Sequence, residues 1–114
     1  MRRNQRLTAA RDFAAVYANG RPVRGDSLIL RAVSNGRDVS RFGFTTAKAL
    51  GNAVLRNRLR RRLKAAVSSL SVAGGWDVVI NARRDAVDED YERLREQVRR
   101  LLDRGKVPLE ARSV

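Results

Sequence analysis

Arginine and lysine crowd one stretch of this chain at a spacing suited to phosphate. Arg56, Arg58, Arg60, Arg61, Arg62 and Lys64 put six cations into nine residues, and Asn57 sits among them with an amide that both donates and accepts. At roughly 100° per residue, Leu55, Leu59, Leu63, Ala66, Val67 and Leu70 fall on one narrow apolar stripe, while Asn57, Arg58, Arg60, Arg61 and Lys64 cover most of the remaining circumference. A merely solvated helical face mixes signs to gain ion pairs three and four residues apart. This one does not, because no acid occurs between Asp38 and Asp77. The pattern is that of a helix built to lie on a polyanion, and nucleic acid fits such a footprint.

The rest of the chain bounds the chemistry. Its formal charge is +13, and residues 1–64 hold 16 Lys and Arg against 3 Asp and Glu, whereas 65–114 hold 9 against 9. All the net charge therefore belongs to the first part. Of 25 cations 22 are arginine, a bias that suits bidentate phosphate contacts but that a GC-rich genome would also produce. There is no cysteine, hence no disulfide framework or thiolate metal site, and no histidine, which removes the usual general base and zinc ligand. A length of 114 residues predicts a single domain with one modest core. The longest apolar runs are too short to span a bilayer and the basic amino terminus lacks the apolar core of a signal peptide, so the chain reads as soluble and cytoplasmic, without a membrane partner.

The elements that must position the basic segment can be placed from periodicity. A first helix is expected over 8–19, with Thr8 as N-cap, Asp12 in the first turn, and Phe13, Val16 and Tyr17 at i, i+3, i+4 before Gly20 and Pro22 stop it. Residues 21–25 read as an extended connector with room for a brief edge strand. Strands over 26–34 and 41–48, joined by Asn35-Gly36-Arg37-Asp38, read as a hairpin. In the second of them Phe42, Phe44 and Thr46 share a greasy face, and Gly43, Thr45 and Ala47 a small, polar one. The basic helix is expected over 53–70 and a buried strand over 76–82. A last helix is expected over 88–104, its apolar stripe made of Tyr91, Leu94, Val98, Leu101 and Leu102 and its charges mixed. Periodicity leaves the class open between α/β and α+β, and the general rule would make the strand-helix-strand crossover right-handed.

One run carries a more specific message. Ala47-Lys48-Ala49-Leu50-Gly51-Asn52-Ala53-Val54-Leu55-Arg56-Asn57-Arg58 resembles the signature of the bacterial ribonuclease P protein subunit family, in which a serine-lysine-lysine stretch, Gly-Asn-Ala-Val and Arg-Asn-Arg follow at this spacing. Asp12-Phe13 before Val16-Tyr17, Arg41-Phe42-Gly43-Phe44, and Val79-Ile80 ahead of Ala82-Arg83 extend the resemblance over nearly the whole chain. It implies an α+β fold, α-β-β-β-α-β-α, with a small mixed sheet and a left-handed βαβ crossover. Residues 1–6 are then expected to be a flexible basic arm and 107–114 a flexible tail.

The resemblance also implies a function. Such a subunit joins a catalytic RNA, one protein copy per RNA, in the endoribonuclease that removes the 5′ leader of precursor tRNA. The RNA performs the phosphodiester hydrolysis with Mg2+ held mainly by RNA and substrate, and the protein has neither a catalytic residue nor a metal site. Carried over residue by residue, the surface for the catalytic RNA falls on Lys48, Asn52, Arg56, Asn57, Arg58, Arg60, Arg61 and Lys64. The leader groove falls on Phe13, Tyr17, Ile29, Arg31 and Thr45, where aromatic rings beside cations suit unpaired bases. Spacing alone favours core anchors for Phe13 and Tyr17, and it is the resemblance that turns them toward the groove.

The chain departs from the family pattern at Ala47 and Ala49, which flank Lys48 where serine and a second lysine are frequent, and at Arg31, which stands where an aromatic is frequent. Arg62 lies near the apolar stripe and is expected to snorkel with its stem buried, outside the RNA surface. Against this reading stands a purely structural RNA-binding protein of the ribosomal type. A DNA-binding module is weaker because cations surround the helix without leaving a reading edge. A protein-only nuclease is weaker still, since Asp88, Glu89, Asp90 and Glu92 crowd a helix start where capping explains them.

Overall fold

The strand over Trp76–Ala82 holds Val78, Val79, Ile80 and Ala82, apolar on both faces, and a strand of that kind gains most from the middle of a sheet. The computed structural model, which describes residues 1–110, puts it there. Helix α1 (Ala10–Asn19) is followed by strands β1 (Val23–Arg24), β2 (Leu28–Ser34) and β3 (Arg41–Thr46), helix α2 (Ala53–Ser69), strand β4 (Trp76–Ala82) and helix α3 (Tyr91–Arg104). The sheet order is β1-β2-β4-β3, with β4 antiparallel to β2 and parallel to β3. This is a mixed α+β fold.

The expected hairpin is corrected by that order. The turn at Asn35-Gly36 forms, with Asn35 Oδ1 accepting from the Arg37 N–H at 2.8 Å, but β2 and β3 do not pair. They are split by β4, whose buried pattern is satisfied only with a neighbour on each side. The first helix begins at Ala10 rather than residue 8. Ala9 is its N-cap and no side chain caps it. The third begins at Tyr91, where the Asp90 carboxylate accepts from the Arg93 N–H at 2.9 Å, and residues 84–88 form a separate 3-10 turn that buries Ala86.

Strand alternation sorts the sheet into two unequal faces. Leu28, Leu30, Phe42, Val78 and Ile80 point to the side covered by α2 and α3, where Leu59, Leu63, Val67, Leu94, Val98, Leu101 and Leu102 complete the main core. Each such side chain, fully buried, stabilises by about 1.5 to 3 kcal/mol relative to exposure. Gln97 was not foreseen in this core. Its Oε1 accepts from the Ser27 and Leu28 N–H groups at 2.8 and 2.9 Å, tying α3 to the start of β2. Among the described residues the opposite face carries α1 and a small cluster of Leu7, Val16 and Val79 with Phe13 and Val33 at its margin.

Both ends of the described chain are docked. Residues 3–5, expected within a flexible arm, form a 3-10 turn; Arg6 then pairs with Phe42, and the Leu7 N–H donates to the Phe42 carbonyl at 2.9 Å along the outer edge of β3. Of the expected tail, Val107 is buried and Leu109 bridges to Val72, while 111–114 lie outside the described residues.

Candidate RNA interface

The basic helix α2 is started by two backbone devices. Gly51 takes φ +133°, in the region glycine favours, to turn the chain out of the 3-10 turn Lys48–Leu50. Asn52 then caps the helix, its Oδ1 accepting from the Leu55 N–H at 3.0 Å. The cap engages one side of an exposed amide. Leu59, Leu63, Ala66 and Val67 hold the helix to the core, leaving Asn57, Arg58 and Arg61 exposed and Arg56, Arg60 and Lys64 half-exposed, with Lys48 exposed just before the helix. Arg60 Nη2 donates to Asn57 Oδ1 at 2.7 Å, which aligns the two side chains. Arg56 buries its Nε without a partner among the described residues, as Thr46 does its Oγ1.

What distinguishes this face is its lack of counter-charge. Among the described residues no ion pair involves a cation of α2, whereas on α3 Glu96 meets Arg99 at 2.5 Å and Arg100 at 3.2 Å. The Arg99 hydrogen bond leads the effects that push the Glu96 carboxyl down to about 2. One helix pairs part of its charge internally and the other presents bare charge. Arg62 belongs to neither group, because its Nη1 donates to the Glu89 carbonyl at 3.1 Å.

The second surface lies on the other face of the sheet. Register puts Ile29, Asn81 and Thr45 in one row across β2, β4 and β3, and Arg31, Val79 and Gly43 in the next. Helix α1 leans over these rows with Phe13 and Tyr17 on one side. The Phe13 ring lies directly on Gly43, where a Cβ would meet ring carbons at 2.5 Å, so the small residue is what lets the aromatic sit down. Tyr17 stays 43% exposed, with the Arg31 guanidinium carbon 5.0 Å from its ring centroid. The five residues expected in the groove therefore share one strip between α1 and the open sheet face.

Asn81 was missed, and it organises the strip. Arg31 Nη1 donates to its Oδ1 at 3.1 Å, and its Nδ2 donates to Tyr17 Oη at 2.6 Å and to Thr45 Oγ1. The signal was available: a lone amide in an apolar strand, with the parity of the uncovered face. At the other end of the strip Arg41 grips Asp77 through Nε at 2.9 Å and Nη2 at 2.6 Å and reaches Asp12 of α1 at 3.3 Å. Asn35 Nδ2 donates to the same Asp77 carboxylate at 2.9 Å. Burial opposes the charge on Asp77, but the Arg41 and Asn35 hydrogen bonds outweigh it and hold the carboxyl below its usual range. The cluster fixes α1 over the sheet.

The donor set does not fit a protein-held metal. Amides and cations line both surfaces, and among the described residues no group of three or more Asp, Glu, His or Cys converges. No helix of the described chain is long and apolar enough to cross a membrane.

The geometry has counterparts. A family model described as Ribonuclease P matches residues 1–106. The ribonuclease P protein component of Roseiflexus castenholzii is 43% identical over 110 residues, covering 94% of this chain and 90% of its own length. That of Dehalococcoides mccartyi strain 195 is 32% identical over 107 residues, covering 94% and 89%. Among solved structures, the RNase P protein of Staphylococcus aureus superposes with a TM-score of 0.81 at 27% identity, covering 90% of this chain and 96% of that one. The RNase P protein of Thermotoga maritima does so with 0.79 at 27% identity, covering 87% and 96%.

Proposed function

Since this chain belongs to the ribonuclease P protein family, components of the nuclease that processes tRNA 5′ ends, we propose that α2 binds the catalytic RNA and the strip under α1 holds the precursor leader. The observation that carries the division is the contrast between unpaired cations on one face and half-exposed aromatics beside a polar sheet on the other. Phosphates of a folded RNA are met by point charges and forks along Arg58, Arg61 and Lys64, with Lys48, Asn52, Arg56, Asn57 and Arg60 extending the contact. Unpaired bases of the leader stack on Phe13 and Tyr17, with Ile29 and Thr45 as floor and Arg31 as cation.

Hydrolysis of the phosphodiester bond is assigned to the RNA, with Mg2+ held by RNA and substrate. The protein contributes position and charge neutralisation: it lowers the repulsion between two polyanions, so less magnesium is needed to bring them together. Strand β3 joins the two surfaces, since Thr45 in the strip and Lys48 before α2 are three residues apart on the edge of the sheet.

Reconstitution with the catalytic RNA tests the division. Phe13→Ala and Tyr17→Ala are expected to weaken binding of precursor tRNA much more than of mature tRNA, which lacks the leader. Thermal unfolding is recorded alongside, because loss of a buried ring costs about 3 to 5 kcal/mol. Equal loss for both tRNAs, or unfolding that accounts for the whole effect, would return both rings to the core.

A further inference from the structure

The residue at the centre of the leader strip has no hydrogen-bonding capacity left for a ligand on its donor side. Arg31 offers only donors, so the Asn81 carboxamide must turn its Oδ1 toward it, and both Nδ2 hydrogens are then spent on Tyr17 and Thr45. Asn81 is thus a positioning residue. What it positions is the Arg31 guanidinium, held at one nitrogen by the amide and across one face by the Tyr17 ring. Among the described residues the Nε and Nη2 edge of that guanidinium makes no hydrogen bond, and the side chain is half-exposed.

A fork held in this way is a reader of two adjacent acceptors. We propose that Arg31, oriented by Asn81 and Tyr17, selects guanine at one nucleotide of the precursor leader. Guanine presents O6 and N7 together, which match two parallel N–H groups, and its bicyclic face is the larger partner for an aromatic ring. Cytosine also has an edge with two neighbouring acceptors, O2 and N3, but stacks over less area. Adenine sets a donor beside its acceptor, and uracil separates its two carbonyl oxygens with an N–H. The expected order is guanine, then cytosine, then adenine and uracil. A phosphate would accept the same fork, but it needs neither the Tyr17 ring nor a fixed guanidinium plane.

The inference rests on the leader reading, and one experiment separates the two. Holoenzyme reconstituted with the catalytic RNA is titrated with mature tRNA and with precursor tRNAs carrying each of the four bases at each leader position. At one position guanine should bind at least about fivefold tighter than adenine or uracil. Arg31→Lys keeps the charge but not the fork and should abolish that preference. So should Asn81→Val, which fits a strand and leaves the guanidinium free to rotate. Arg31→Lys alters an accessible side chain, so it decides the matter even if Asn81→Val unfolds. Precursor binding no tighter than mature tRNA would sink the leader reading itself. Tighter precursor binding with four equal bases at every position would leave that reading standing and assign Arg31 to phosphate, overturning the inference. A preference for adenine or uracil, or a guanine preference that survives Arg31→Lys, would overturn it as well.

Discussion

Gly43 is the position at which a single methyl group tests how the groove is built. In Gly43→Ala the new Cβ would lie 2.5 Å from Cε1 and Cζ of Phe13 and 3.5 Å from Cβ of Leu7. Carbon atoms pack at about 3.5 to 4.0 Å, so the ring must retreat by roughly 1 to 1.5 Å. Overpacking of this size costs about 1 to 3 kcal/mol. Acting against it is the gain of about 0.4 to 1 kcal/mol that alanine brings over glycine by restricting the unfolded chain. The extended backbone of β3 accepts alanine, so the clash should decide the sign: destabilising with Phe13 present, stabilising in a Phe13→Ala background. Urea unfolding of the four proteins of this cycle, at one fixed salt concentration, reads the coupling directly. Non-additivity of about 1 to 3 kcal/mol is expected. Additivity within about 0.5 kcal/mol would refute the contact on which the placement of Phe13 depends. The displaced ring should also weaken precursor tRNA binding while leaving the affinity for catalytic RNA unchanged.

Other perturbations reach the remaining parts of the molecule. Arg58→Ala and Arg61→Ala should each lower the log-log salt slope of binding to the catalytic RNA by about 0.7 to 0.9, and unchanged slopes in both would move the contact surface elsewhere. Asp77→Ala removes the bidentate partner of the Arg41 guanidinium, whose side chain is 15% exposed, leaves it only the 3.3 Å contact with Asp12, and should cost about 2 kcal/mol in denaturant unfolding; a loss under about 0.5 kcal/mol would show the cluster to be dispensable. Because the folded carboxyl of Asp77 sits below its unfolded value of 3.8, its stabilisation is complete above that pH and disappears as pH falls through the depressed value. Unfolding midpoints measured between pH 5 and about pH 2 should therefore fall less in Asp77→Asn than in the parent chain. Glu96 titrates in the same window near 2, but its exposed pairs are screened and contribute little to that slope.

The sequence predicts elements more readily than neighbours. The strand 76–82 and the basic helix are legible because each has one strong period: continuous burial in the first, a narrow apolar stripe in the second. The pairing of β2 with β3 is misjudged because a good turn at Asn35-Gly36 is a local signal, while the claim of β4 on both strands is a non-local one. Helix starts are misplaced for a related reason. Thr8 and Asp88 are competent caps, yet Leu7 is drawn into the sheet edge and Ala86 into the core, which shifts each helix onset by two or three residues. The amino terminus reads as a free basic arm because nothing local marks Leu7 as the anchor that turns Arg6 and Leu7 along β3.

The two surfaces are legible to different depths for a physical reason. A basic helix declares itself by charge excess, which is a property of composition and survives any fold. The strip under α1 exists only once β2, β4 and β3 are in register, because its floor takes one residue from each. Asn81 shows the difference: on its own strand it is a solitary amide, and only the rows Ile29-Asn81-Thr45 and Arg31-Val79-Gly43 bring Tyr17, Arg31 and Thr45 within its reach. The same register ties the surfaces together. In β3, Phe42 and Phe44 turn toward α2 while Gly43 and Thr45 turn toward α1, so a slip of one residue would bury the groove and expose the seat of the basic helix. One short strand with a period of two thereby fixes both where the basic face of α2 stands and where the strip under α1 opens.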